Sequence, residues 1–148
     1  SNYCSLAIKN YGPLYGTIIG LDRITRCNSS AYYYHQKING FFNDEDGRII
    51  DHLKPNYYHK GNKSEALSIA LGAIPGMGKI YSGRIYDGIY GILNLFISLQ
   101  AYSYAKENQN KTMTNIFGLT FIMLYASEIY GSWRSSKYYQ PKYMKMPK

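Results

Sequence analysis

The ten residues Pro75–Arg84 (PGMGKIYSGR) hold the spacing in this chain that comes nearest to a chemical motif. Glycines followed by a lysine invite a phosphate-cradling loop, in which backbone N–H groups and an ammonium hold a nucleotide. Such a loop needs a glycine five residues before the Gly-Lys pair and a serine or threonine after it. Those positions are Ala73 and Ile80, so nucleotide binding is rejected. The stretch reads instead as a glycine-permitted turn, with Tyr81 at headgroup depth and Lys79 and Arg84 able to meet lipid phosphate. Asp87 falls at the start of the next apolar run, where the helix dipole favours an anion.

Other constellations are weaker. Asp44 and Asp46 suggest a calcium loop, but with Gly47 at the sixth position the first and twelfth ligands are Phe42 and Leu53, which cannot coordinate. Cys4 and Cys27, with His35, His52 and His59, give no zinc spacing. Two cysteines make no disulfide framework. No nucleophile, base and orienting acid can be placed together, so no enzymatic activity, cofactor or small-molecule substrate is expected. Glu128 lies at the end of an apolar run and reads as a helix-end acid reaching for the headgroups.

Those residues flank two apolar runs. Gly88–Ala105 and Thr112–Ser127 carry no charge and are joined by the short polar linker KENQNK. A bilayer crossing needs about 20 mostly apolar residues, and a backbone in lipid must satisfy its own hydrogen bonds. The pair reads as a transmembrane helical hairpin. Tyr81, Tyr86 and Tyr90 lie near the start of the first run. Tyr102 and Tyr104 lie near its end, and Tyr125, Tyr130 and Trp133 near the end of the second. Such amphipathic rings favour the headgroup layer. Lysine and arginine dominate both outer flanks while the linker is nearly balanced, which places both termini in the cytoplasm. The formal charge of +8 suits anionic lipid, and would also suit nucleic acid. No nucleic-acid motif is complete.

The spacing predicts a helix to Asn10, a break at Asn10-Tyr11-Gly12-Pro13, and a second helix over Leu14–Arg26. Leu14, Ile18, Leu21 and Thr25 share one face of it, with Arg23 and Arg26 off that face. Gly16 and Gly20 form a small-xxx-small pair, incidental in so short a helix. Residues 28–63 read as a connector, with room for a small β-hairpin (INGFF and RIID) about a turn at Asn43–Gly47. Glu65–Gly78 is too short to span and reads as an interfacial half-helix. The expected fold is all-α. It comprises a short N-terminal helical hairpin (1–30), an irregular connector (31–63), and a membrane hairpin domain with a basic tail (64–148).

Two resemblances add to this reading. Pro75, Gly76, Gly78, Tyr81, Gly83, Arg84, Asp87 and Gly88, followed by two spans, resemble a family of small bacterial membrane hairpin domains without catalytic role. The N-terminal residues Ser1, Tyr3, Ala7, Ile8, Gly12, Gly16, Arg23, Ile24, Arg26 and Cys27 are similar in spacing to the YidD family, the membrane protein insertion efficiency factors. That family's pattern has a cysteine before the Ser1 position, where this sequence begins. Its short C-terminal element is replaced here by the connector, with Gly47–Asp51 as a remnant. The resemblance implies a non-enzymatic accessory factor at the bacterial inner membrane, working beside the YidC insertase and the Sec translocon. In that role Lys9, Arg23 and Arg26 hold the helical unit against anionic headgroups, at about 1 kcal/mol each. The rival readings are a structural membrane hairpin, or a basic nucleic-acid-binding module.

Overall fold

The computed structural model describes residues 2–26, 35–38, 41–44 and 63–138. Among these the chain is dominated by six helices, with one two-stranded ribbon. α1 (Asn2–Tyr11) and α2 (Pro13–Arg26) form the N-terminal pair. Gly12 turns the chain between them at φ 81°, a conformation costing other residues about 1–2 kcal/mol. Pro13 opens α2 where its missing N–H is harmless. The break at residues 10–13 thus falls where the sequence places it.

The buried face of α2 is offset from the face that Leu14, Ile18, Leu21 and Thr25 share. Leu14 is exposed, while Gly16, Ile19, Asp22 and Thr25 are buried. The reason lies in Gly16 and Gly20, where α1 presses against α2. A Cβ on Gly16 would stand 2.4 Å from the Ile8 Cα, and one on Gly20 2.6 Å from the Cys4 Sγ. The small-xxx-small pair is therefore the contact itself, and it rotates Leu14 outward.

In the connector, β1 (His35–Ile38) pairs antiparallel with β2 (Phe41–Asp44), His35 facing Asp44 and Ile38 facing Phe41. Between them in sequence stands Asn39-Gly40, the dipeptide most favourable to a two-residue hairpin connection. This is not the register expected: Asn43 and Asp44 are in a strand, and the RIID segment lies outside the described residues.

The stretch read as one half-helix is two short ones, α3 (Glu65–Gly72) and α4 (Met77–Tyr81), separated by Pro75 and by Gly76 at φ 77°. Ser64 caps α3 by accepting from the Leu67 N–H at 3.3 Å. At the other end Tyr125 donates its hydroxyl to the Ala73 carbonyl at 2.6 Å, satisfying backbone that the break would leave unpaired. α4 then leads into α5 (Ile85–Glu107). After a three-residue loop, α6 (Lys111–Tyr138) begins with the Asn110 side chain accepting from the Met113 N–H at 3.1 Å. α5 and α6 form the long hairpin, and α2, α3 and α4 pack along α6.

Burial is inverted relative to an ordinary water-soluble helical domain. Among the described residues only Ala7, Ile19, Leu95 and Ala105 form a buried apolar set, whereas fourteen polar or charged residues are buried. On α5, Ile85, Ile89, Leu93, Phe96 and Ile97 are 45–64% exposed while Gly88, Gly91 and Ser98 face inward. No helix among the described residues is long and apolar enough to cross a membrane when its hydropathy is averaged. The expected spans fall short because the polar side chains of Asn94 and Gln100 on α5, and of Asn115 and Glu128 on α6, lower the mean.

The Gly16 contact yields a test by thermal unfolding. Gly16→Ala forces α1 off α2 and lowers stability by about 1–3 kcal/mol. Gly118→Ala changes stability by less than about 1 kcal/mol, because helix propensity gained offsets a 3.3 Å contact with the movable Tyr102 ring.

Candidate functional site: a buried charge network

Six charged side chains from four elements are buried together: Asp22 on α2, Lys79 on α4, Arg84 and Asp87 at the start of α5, and Glu128 and Arg134 on α6. Each is at most 2% exposed. Three acids (Asp22, Asp87, Glu128) and three bases (Lys79, Arg84, Arg134) give a net charge of zero when all are ionised. Lys79 is the hub. Its Nζ donates to Glu128 Oε1 at 2.7 Å and lies 3.9 Å from Asp22 Oδ1. Asp22 also accepts from Arg134 Nη1 at 3.5 Å. Arg84 pairs with Asp87 through both Nε and Nη2, within one turn.

Glycines and serines make room for these groups. A Cβ on Gly131 would lie 2.2 Å from Asp22 Oδ1 and 2.6 Å from Lys79 Cε. One on Gly91 would lie 2.4 Å from Glu128 Oε2, an oxygen without a hydrogen-bond partner among the described residues. Beside the network, Ser68 donates to the Ser132 carbonyl at 2.7 Å, and Ser82 to the Gly78 carbonyl at 2.9 Å. Gly78 itself admits Ser132, whose Cβ would be 2.4 Å from an added methyl. Gly76 and Gly88 meet backbone to backbone: a Cβ on either would stand 2.4–2.7 Å from the other's carbonyl oxygen.

The glycines of the Pro75–Gly88 motif thus mark close approaches of α4, α5 and α6, more than the tight turn expected of them. Tyr81 is half-buried with the Lys63 ammonium 5.1 Å from its ring centre, and Gly83 turns the chain at φ 96°. Lys79 and Arg84 do not lie at the surface. Read as lipid contacts, they are buried and paired with carboxylates, because six mutually compensating charges hold one another out of solvent. Glu128 is likewise not a helix-end acid. α6 continues ten residues beyond it, and its carboxylate binds Lys79.

Elsewhere, Ala7 is fully buried with Ile19 and Tyr130. Lys9 is exposed on α1 and Arg23 is half-buried on α2. Arg26 ends α2, and Tyr3 falls within α1. Ser1 and Cys27 lie outside the described residues, and Cys4 is a free thiol. Two belt aromatics are tied inward: Tyr125 to Ala73, as above, and Trp133, whose indole N–H donates to Glu65 Oε2 at 2.9 Å. Among the described residues no group of histidine, cysteine or acid side chains is arranged to hold a metal. Among the described residues, these charge pairs tie α2, α4 and α6 together. Comparison with family models, curated proteins and solved structures finds no match to this chain.

Removing one partner of a buried pair strands the other and costs about 3–5 kcal/mol. Lys79→Met should therefore lower stability by about that much in chemical denaturation. The double variant Lys79→Met/Glu128→Leu should recover much of the loss, since no lone carboxylate then faces Gly91.

Proposed function

We propose that this chain is a bacterial inner-membrane protein in which lipid surrounds the outer face of the α5–α6 hairpin, and that it acts as a non-enzymatic accessory factor in membrane protein insertion. The inverted burial carries the membrane part. An apolar outside and a polar, charge-paired inside suit a hydrocarbon solvent, where lipid gives no reason to hide leucine or isoleucine and small residues mediate helix contact. Charges at such depth are expected to face the protein interior and pair there, as Lys79, Glu128, Asp22 and Arg134 do. α5 has 23 residues, or about 34 Å of rise, against a hydrocarbon core of about 30 Å. Averaged hydropathy understates such a helix, since only its outward face meets lipid.

The insertion role rests on the resemblance of residues 1–27 to the YidD family. In this reading the YidC insertase and the Sec translocon are partners, and the N-terminal pair is the part that meets them or the anionic headgroups. Asp22 supports a coupling of that pair to the hairpin, because it is buried between Lys79 and Arg134 and ties α2 to α4 and α6.

The membrane part is tested by washing cell membranes with alkaline carbonate. The protein should stay in the pellet, and its release would overturn the reading. The insertion role is tested by pulse-labelling inner-membrane clients after deletion of the gene: insertion should slow several-fold, and unchanged kinetics would overturn it. Asp22→Asn should slow insertion as deletion does while leaving the protein in the membrane fraction.

A further inference from the structure

A groove of about 720 Å³ runs between α2, α3 and α6, within the 300–1,000 Å³ range of ligand sites. We propose that it holds an acyl chain of a bilayer phospholipid, an inference that rests on the membrane reading above. Its walls are Tyr15, Ile18 and Ile19 on α2, Ile69 on α3, and Ala126, Ile129 and Trp133 on α6; no charged side chain lines it.

Size argues for a hydrocarbon chain over a helix. From Ala126 to Trp133 the groove follows α6 for about 10 Å, and an α-helix with side chains is itself about 10 Å across, so this volume would hold fewer than two turns of one. A flexible chain fits the same space lengthwise. Residues 45–62 and 139–148 do not suit it either, since a charge or proline breaks every apolar stretch in them within four residues.

The groove is open to its surroundings, with Tyr15 61% and Ile69 42% accessible in its walls. Trp133 is fixed by Glu65, and the Lys137 ammonium lies 4.7 Å from its ring centre. A carboxylate and an ammonium thus stand together beside Trp133, a polar rim against which a zwitterionic lipid headgroup would lie.

Trp133 is the only tryptophan, which makes the groove directly readable. The full chain is placed in nanodiscs of phosphatidylcholine carrying bromine at mid-chain, a contact quencher of indole fluorescence. Trp133 emission should fall by more than half relative to unbrominated discs, and Ala126→Phe, which plugs the groove, should restore it. Ile69→Phe plugs the groove from α3 and serves the same purpose should Ala126→Phe fail to fold. A reference protein, Trp133→Phe/Phe96→Trp, carries its indole on the outer face of α5 and should be quenched strongly.

Equal quenching of Trp133 with and without the plug would mean annular lipid only, and would overturn the site. An unquenched Trp133 beside a quenched Phe96→Trp reference would also overturn it, showing that something other than a lipid chain fills the groove, while the membrane reading stands. An unquenched reference would remove the membrane reading and the site together.

Discussion

A lysine ammonium that reaches no solvent governs this structure. Lys79 can stay charged at its position only if carboxylates meet it, and two do, from helices distant in sequence. Around that requirement the neighbouring positions lose bulk. Gly131 clears space for Asp22 and the Lys79 stem, Gly91 for the Glu128 carboxylate, and Gly78 lets α4 sit against Ser132. Ser68 on α3 then hydrogen-bonds across seams too close for larger side chains, to the Gly78 and Ser132 carbonyls and the Ser82 hydroxyl. The helices are held less by interlocking hydrophobic bulk than by short approaches secured with charge and hydroxyl groups.

That arrangement explains the outer surface. When contacts between helices are made by glycine and serine, the isoleucines, leucines and phenylalanines of the same helices have nowhere to go but out. In water so large an exposed apolar surface would drive association. In hydrocarbon it is neutral, and the small-residue seams become the main attraction between helices. Both halves of the pattern are what the proposed hydrocarbon surroundings would require.

Much of the backbone path was legible in the sequence. Gly12-Pro13 announces the break between α1 and α2, the charge-free runs announce α5 and the first part of α6, and Pro75 announces the interruption before α4. The interior of the network was not. Lys79, Arg84 and Glu128 look like headgroup contacts because a charge beside an apolar run normally stays in the wet layer; Lys79 and Glu128 are buried against each other across 49 residues of sequence, a pairing no local pattern reports. α6 likewise looks finished at Ser127 because the next residue is acidic. The one available signal was the run of small residues Ser127, Gly131, Ser132, Ser135 and Ser136, whose three- and four-residue spacing continues a helix face past the charge. The Gly16 and Gly20 spacing carried the same message and was discounted because α2 is short.

The chain order of the paired charges bears on how the molecule is made. Asp22 leaves the ribosome first, then Lys79, and later Glu128 with Arg134 six residues behind it on the same helix. Each instalment cancels itself: an anion with a cation first, then a second such couple delivered together. In the finished protein the partners have crossed over, with Lys79 nearest Glu128 and Asp22 nearest Arg134. Arg84 and Asp87 need no such exchange, since three residues of chain neutralise them at birth. Asp22 alone is made long before either of its final partners, since Lys79 and Arg134 both follow it far along the chain.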